Sequence, residues 1–88
     1  MSNGPGESLL QFPTDLPIKV FGRADTEFRA AAIGIIEAHY GTSYTVTEQQ
    51  SKQGSYLSLT ITVRAETRAQ IDAVYRDLVA NELILMAL

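Results

Sequence analysis

His39 is the single histidine of the chain, and cysteine is absent. A metal centre or a catalytic triad would have to be assembled around that one imidazole, and no HExxH or comparable spacing supplies its partners. Its place near the end of a helical pattern favours an imidazolium without any further role. Without a thiol there can be no disulfide framework, thiolate zinc site, iron–sulfur cluster or cysteine nucleophile. The ten carboxylates are scattered, and none falls into an EF-hand loop. No serine stands in a GxSxG elbow, and neither a Walker glycine–lysine loop nor a GxGxxG fingerprint occurs. Catalysis has no visible apparatus, and neither cofactor nor metal is expected.

The chemistry that remains is binding. Lys52-Gln53-Gly54-Ser55 offers an anion a lysine and backbone N–H groups, although a hairpin turn asks for the same residues. Gly22-Arg23-Ala24-Asp25 sets a cation and a carboxylate beside a glycine, an arrangement that a turn and a helix cap also explain. Any enzyme would have to be built from Arg23, Asp25, His39 or Lys52, and no spacing among them supports one.

These residues sit on a chain of 88, long enough for one domain that buries roughly 60–65% of its unfolded surface and too short for two cores. Apolar residues at 45% and charged residues at 19% are the balance of a folded globular protein. Seven basic and ten acidic residues leave a net charge of −3, the wrong sign for a protein that holds nucleic acid chiefly through phosphate contacts. The start, Met1-Ser2-Asn3-Gly4-Pro5-Gly6-Glu7, lacks the basic and apolar regions of a secretory signal, and the longest apolar run, Leu83 to Leu88, is far too short to span a bilayer. A cytoplasmic protein is expected.

Residues 1–8 are small, polar and rich in Gly and Pro, the composition of a flexible tail, and residues 9–88 read as one domain. Leu9, Leu10 and Phe12 precede Pro13 and Pro17, which disfavour helix before them, so this lead-in is expected to be extended and to cover the domain's own core or a partner. Leu16, Ile18 and Val20 alternate with Lys19 and Phe21 as a first strand over Leu16–Gly22. Asp25 stands as the N-cap of a helix whose stripe is Phe28, Ala31, Ala32, Ile35, Ile36 and His39, ended by Tyr40-Gly41. Tyr44 to Ser51 alternates weakly, as an edge strand does. Gly54 supplies the positive φ of a hairpin, and Leu57, Leu59, Ile61 and Val63 then alternate strictly with Tyr56, Ser58, Thr60, Thr62 and Arg64. Thr67 and Gln70 form a capping-box pair ahead of the stripe Ile71, Val74, Tyr75 and Leu78, with Arg68–Asp72 and Asp72–Arg76 pairs outside. Asn81 ends that helix, and Glu82 to Leu88 reads as a last strand.

Strand, helix, hairpin, helix, strand predicts the α+β, ferredoxin-like βαββαβ sandwich: an antiparallel sheet in the order 4-1-3-2 with two helices on one face. The other face keeps Lys19, Phe21, Ser58, Thr60, Thr62 and Arg64, and is the expected place for function. Leu83-Ile84-Leu85-Met86-Ala87-Leu88 carries neither charge nor proline to protect what this topology makes a sheet edge, so a homodimer through that edge is expected if the aliphatics do not simply fill the core. Phe21 and Tyr56 stand where RNA recognition motifs present aromatics, although the rest of that signature and the basic charge are missing.

Leu9-Leu10-Gln11-Phe12-Pro13, Pro17-Ile18-Lys19-Val20-Phe21-Gly22, Ser51-Lys52-Gln53-Gly54-Ser55-Tyr56 with Ser58-Leu59-Thr60-Ile61-Thr62-Val63, and Ile71-Asp72-Ala73-Val74-Tyr75-Arg76-Asp77-Leu78 together resemble the YbeD-like family of small uncharacterised bacterial proteins. The resemblance runs in order from Leu9 to Leu88. It implies a ferredoxin-like fold close in shape to the ACT domains, which bind small molecules and regulate metabolic enzymes, and it implies no assigned activity. In ACT-like domains the loop matching Gly22-Arg23-Ala24-Asp25 holds an amino-acid effector against a neighbouring subunit, which makes Gly22, Arg23 and Asp25 candidate ligand-binding residues. Lys19, Phe21, Lys52, Gly54 and Tyr56 are the candidate contacts of the sheet face and turn. The expected role is a small regulatory or adaptor domain that binds a partner protein or a small metabolite without catalysis; an RNA-binding module is the alternative.

Overall fold

The computed structural model describes residues 11–88. The expected tail over residues 1–8 and the lead-in residues Leu9 and Leu10 lie outside the described residues. Alternation along the chain produces β1 (Thr14–Arg23), β2 (Tyr44–Gln50), β3 (Tyr56–Ala65) and the short β4 (Met86–Ala87), with α1 (Thr26–Tyr40) and α2 (Arg68–Ala80) between them. The sheet order is β2-β3-β1-β4, the ferredoxin-like arrangement expected. Strand β3 lies at its centre, antiparallel to β1 from Thr14↔Ala65 to Arg23↔Tyr56 and to β2 from Tyr44↔Val63 to Gln50↔Leu57.

One face of this sheet is the core. Ile18 and Val20 of β1 and Leu57, Leu59, Ile61 and Val63 of β3 pack beneath Phe28, Ala32 and Ile36 of α1 and Val74 and Leu78 of α2. Both helices begin at caps the sequence announces. The Asp25 Oδ1 accepts the Phe28 N–H at 2.8 Å, and the Thr67 Oγ1 accepts the Gln70 N–H at 3.1 Å. The Gln70 side chain returns to the Glu66 N–H at 2.9 Å, one residue earlier than the standard capping box. Gly41 ends α1 at φ 68°, its N–H donating to the Glu37 carbonyl at 2.9 Å. Arg68 pairs with Asp72 at 3.5 Å, whereas Asp72–Arg76 is not an ion pair among the described residues.

The last strand departs from expectation. The aliphatic run predicts a strand over Glu82–Leu88, but only Met86–Ala87 is one. The cause is Asn81, whose side chain accepts the Leu83 N–H at 2.9 Å and whose carbonyl accepts the Ile84 N–H at 3.1 Å, closing a turn where the strand would begin. Only Ile84 of the large aliphatics reaches the core, at 7% exposure; Leu83, Leu85, Met86 and Leu88 are exposed. The strand is held by the Lys19–Leu88 exchange of hydrogen bonds at 2.7 and 3.2 Å and by the Leu85 N–H on the Phe21 carbonyl at 2.8 Å.

β4 spans only Met86–Ala87 and pairs with Val20 and Phe21, so it covers only part of β1. Lys19 and Phe21 direct their backbone polar groups toward β4. By the same alternation Pro17 directs its nitrogen to that side, past the end of β4, where the missing N–H leaves no gap in a ladder.

Tyr75 ties α2 to β4. Its hydroxyl donates to the Leu88 oxygen at 2.6 Å, and burial raises its pKa above the ordinary tyrosine value. The folded state therefore favours the neutral phenol, so this contribution to stability is intact below about pH 10, the unfolded value, and is lost as pH rises through the folded one. Chemical unfolding at pH 9 and pH 11 is expected to show a larger alkaline loss for the wild type than for Tyr75→Phe (both figures bracket that roughly pH 10 value). Equal losses would contradict the assignment.

Candidate functional site

The face of the sheet away from the helices is built by the residues that alternate with the core. On β1 these are Lys19, Phe21 and Arg23, set opposite Thr60, Ser58 and Tyr56 of β3. Gln49 of β2 flanks Ser58 on the other side, and Met86 of β4 flanks Phe21. Side chains directly opposite on one face lie within reach of each other, so these rows make a continuous surface. Its concave part is a shallow depression of about 250 Å³ lined by Lys19, Phe21, Gln49, Gln50, Ser51, Tyr56, Leu57 and Ser58.

Tyr56 is 48% exposed at the rim and Phe21 is half-buried. The Lys19 ammonium stands 5.6 Å from the Phe21 ring centroid, within cation–π range. The rim is held by the hairpin: the Tyr56 N–H donates to the Ser51 Oγ at 3.1 Å, and the Ser51 N–H donates to the Tyr56 carbonyl at 2.9 Å. Gly54, at φ 78°, turns the chain there, and its N–H is taken by the Ser51 carbonyl at 2.9 Å. Of the anion-binding groups expected in that turn, Lys52 is the one that lines an adjoining hollow with Ser51, Gln53, Ser55 and Tyr56.

Charge is distributed unevenly around this face. Lys19, Arg23 and Lys52 enter no ion pair among the described residues, while Arg64 at the other end of the face is held by Asp15 at 3.2 Å. The acidic Glu48 is paired with Arg29 of α1 and borders a hollow with Lys19, Gln49, Ser58 and Thr60. A chain of net charge −3 thus carries a local basic surface beside two aromatics.

Sequence reasoning brought Lys19, Phe21 and Tyr56 to this depression, and the structure places them together there. The Gly22–Asp25 loop is occupied by packing and capping: Gly22 is buried against the Phe28 ring and Asp25 caps α1, leaving Arg23 exposed beside Tyr56. Gln49, Gln50 and Met86 were not foreseen as part of the surface. The register of β2 against β3, countable from the Gly54 turn, was the signal for Gln49.

A second polar hollow of about 400 Å³ lies at the opposite end, lined by His39, Tyr40, Ser43, Arg64, Glu66 and Gln70. His39 itself is committed to the helix pair, its Nε2 lying 2.7 Å from the Asp77 Oδ2. The buried Tyr40 hydroxyl has no hydrogen-bond partner among the described residues, and burial, reinforced by Tyr75, raises its pKa. The Tyr44 hydroxyl donates to Glu37 at 2.6 Å, and that hydrogen bond is the main cause of its raised pKa. Among the described residues no group of three or more His, Asp or Glu converges as a metal site, and no helix is long and apolar enough to cross a membrane.

Residues 7–88 match the family described as "Protein of unknown function (DUF493)". A UPF0250 protein of Janthinobacterium sp. (strain Marseille) is 39% identical over 82 residues, covering 91% of this chain and 90% of the relative. A UPF0250 protein of Paraburkholderia phymatum is 36% identical over 84 residues, covering 93% and 94%. The solution structure of protein HP0495 from H. pylori superposes with a TM-score of 0.70 over 100% of this chain and 98% of that one at 10% identity, a likeness of fold alone.

Proposed function

Since the chain belongs to the DUF493 family, whose function is unknown, we propose its role from its own surface. It acts as a small regulatory or adaptor domain, without catalysis, that takes a partner protein or a small metabolite on the open sheet face. The observation that carries this reading is the depression in which exposed Tyr56, half-buried Phe21 and Lys19 meet. Concave surfaces with a few converging polar groups and aromatic walls are where ligands and partners bind. The exposed Leu83, Leu85, Met86 and Leu88 around the short edge strand support a second copy pairing at β4.

Affinity capture from lysate with the wild type and with a Phe21→Ala/Tyr56→Ala variant, folding verified by circular dichroism, tests the reading. A protein or metabolite held by the wild type and lost from the variant is expected; capture indifferent to both substitutions sinks the open face as the binding surface. Sedimentation of the same samples at low micromolar concentration is expected to give a dimer, and a clean monomer removes the β4 pairing. RNA binding is the second reading, favoured by aromatics on adjacent strands and opposed by the net charge of −3.

A further inference from the structure

We infer that the open-face depression is a site for a single nucleotide, its base stacked on Tyr56 and Phe21 and its phosphate held by Lys19. This rests on the proposal that the open face is the binding surface and names the ligand it takes. The first ground is charge. Lys19 lacks an ion-pair partner among the described residues, while the acids bordering this face are engaged elsewhere, Asp15 by Arg64 and Glu48, which shares a hollow with Lys19, by Arg29. An ammonium lining the depression, with Arg23 opposite Tyr56 and Lys52 in the adjoining hollow adding positive charge at the other end, complements an anionic phosphate.

The second ground is shape and lining. Tyr56 and Phe21 sit on neighbouring strands one step apart in register, Tyr56 opposite Arg23 and Phe21 opposite Ser58, so a flat ring laid across them meets two π-faces. The amide of Gln49 and the hydroxyl of Ser58 border that place and supply both donors and acceptors to a base edge. At about 250 Å³ the depression lies below the roughly 300–1,000 Å³ of drug-sized pockets, which limits it to one ring and its anionic arm. Beyond it the face offers threonines and the Asp15–Arg64 pair on one side and apolar Met86 on the other, so among the described residues of the sheet no second stacking platform continues a strand of nucleic acid.

The test is titration of AMP into isotopically labelled full-length protein at low salt, followed by amide chemical shifts. Saturable shifts centred on Lys19, Phe21, Tyr56 and Ser58 are expected. Tyr56→Ala is expected to weaken binding by about tenfold, the order set by loss of one stacking platform. Lys19→Gln, which leaves the ring in place, is expected to weaken AMP while leaving adenosine unchanged, and inorganic phosphate alone is expected to bind more weakly than AMP. Absence of saturable shifts, shifts centred elsewhere, or AMP affinity indifferent to both substitutions overturns the inference. Binding of single-stranded oligoadenylate without binding of AMP overturns it in favour of RNA. If AMP fails while capture of a partner still depends on Phe21 and Tyr56, the nucleotide falls and the open face stands; if both fail, both fall.

Discussion

A Gly22→Ala variant is expected to melt about 12–24 °C below the wild type. The strand places Gly22 directly under α1, and a Cβ built there would lie 2.2 Å from the Phe28 Cδ1 and 2.4 Å from its Cγ. Phe28 is 1% exposed and is clamped at its backbone by the Asp25 cap, so the ring has no free direction in which to retreat. Overpacking of a core costs roughly 1–3 kcal/mol, and a clash with the body of a ring belongs at the upper end. At about 3 kcal/mol, and roughly 4–8 °C per kcal/mol for a domain this size, the stated loss follows. Circular dichroism melts of Gly22→Ala, Phe28→Leu and the double variant check the cause. Removing the ring should relieve the clash, so the double variant should lose clearly less than the two single losses added. Strict additivity, or a melting point within a degree or two of wild type, would refute the steric account.

Ile61→Ala should cost about 3–4 kcal/mol. Ile61 is fully buried on the central strand, opposite Ile18 of β1 on one side and Val46 of β2 on the other. Deleting buried aliphatic groups costs roughly 2–5 kcal/mol, more where the surroundings cannot collapse into the space. Here both neighbouring backbones are fixed by ladders and two helices close the layer above, so collapse is restricted. Against a total stability of about 5–15 kcal/mol that is a large fraction. Urea unfolding should show a lower midpoint with an unchanged slope, and Thr60→Ala on the opposite face should move the midpoint little. A loss below about 1 kcal/mol for Ile61→Ala would show that the layer is far more yielding than its packing implies.

The fold was legible wherever local pattern and tertiary placement agree. The period-two alternation of Tyr56–Ala65 and the stripes Phe28/Ala32/Ile36 and Ile71/Val74/Leu78 are buried as their spacing requires. β1 runs two residues further back than its apolar pattern, because Thr14 and Asp15 continue the pairing with Ala65 and Arg64. The end of the chain was misjudged because hydrophobicity alone does not report that Asn81 closes a turn with its own side chain and keeps Leu83 out of the sheet. In the candidate site, alternation was enough to place Lys19, Phe21 and Tyr56 on one face. Their gathering with Gln49 and Met86 depends on register between strands, which single-strand periodicity does not contain. The pairings of His39 with Asp77 and of Arg29 with Glu48 join elements that only the packed sandwich brings together.

The β1–β3 ladder has a kinetic consequence. Its partners are 33 residues apart at Arg23 and Tyr56 and 51 apart at Thr14 and Ala65, and helix α1 and strand β2 lie inside every loop it closes. The β2–β3 hairpin can form locally around Gly54, but the centre of the sheet gains nothing until that long loop has paid its closure entropy. Pairing of β1 with the hairpin is therefore expected to limit the speed of folding, while the β1–β4 pairs, 65 and 67 residues apart, close loops longer still.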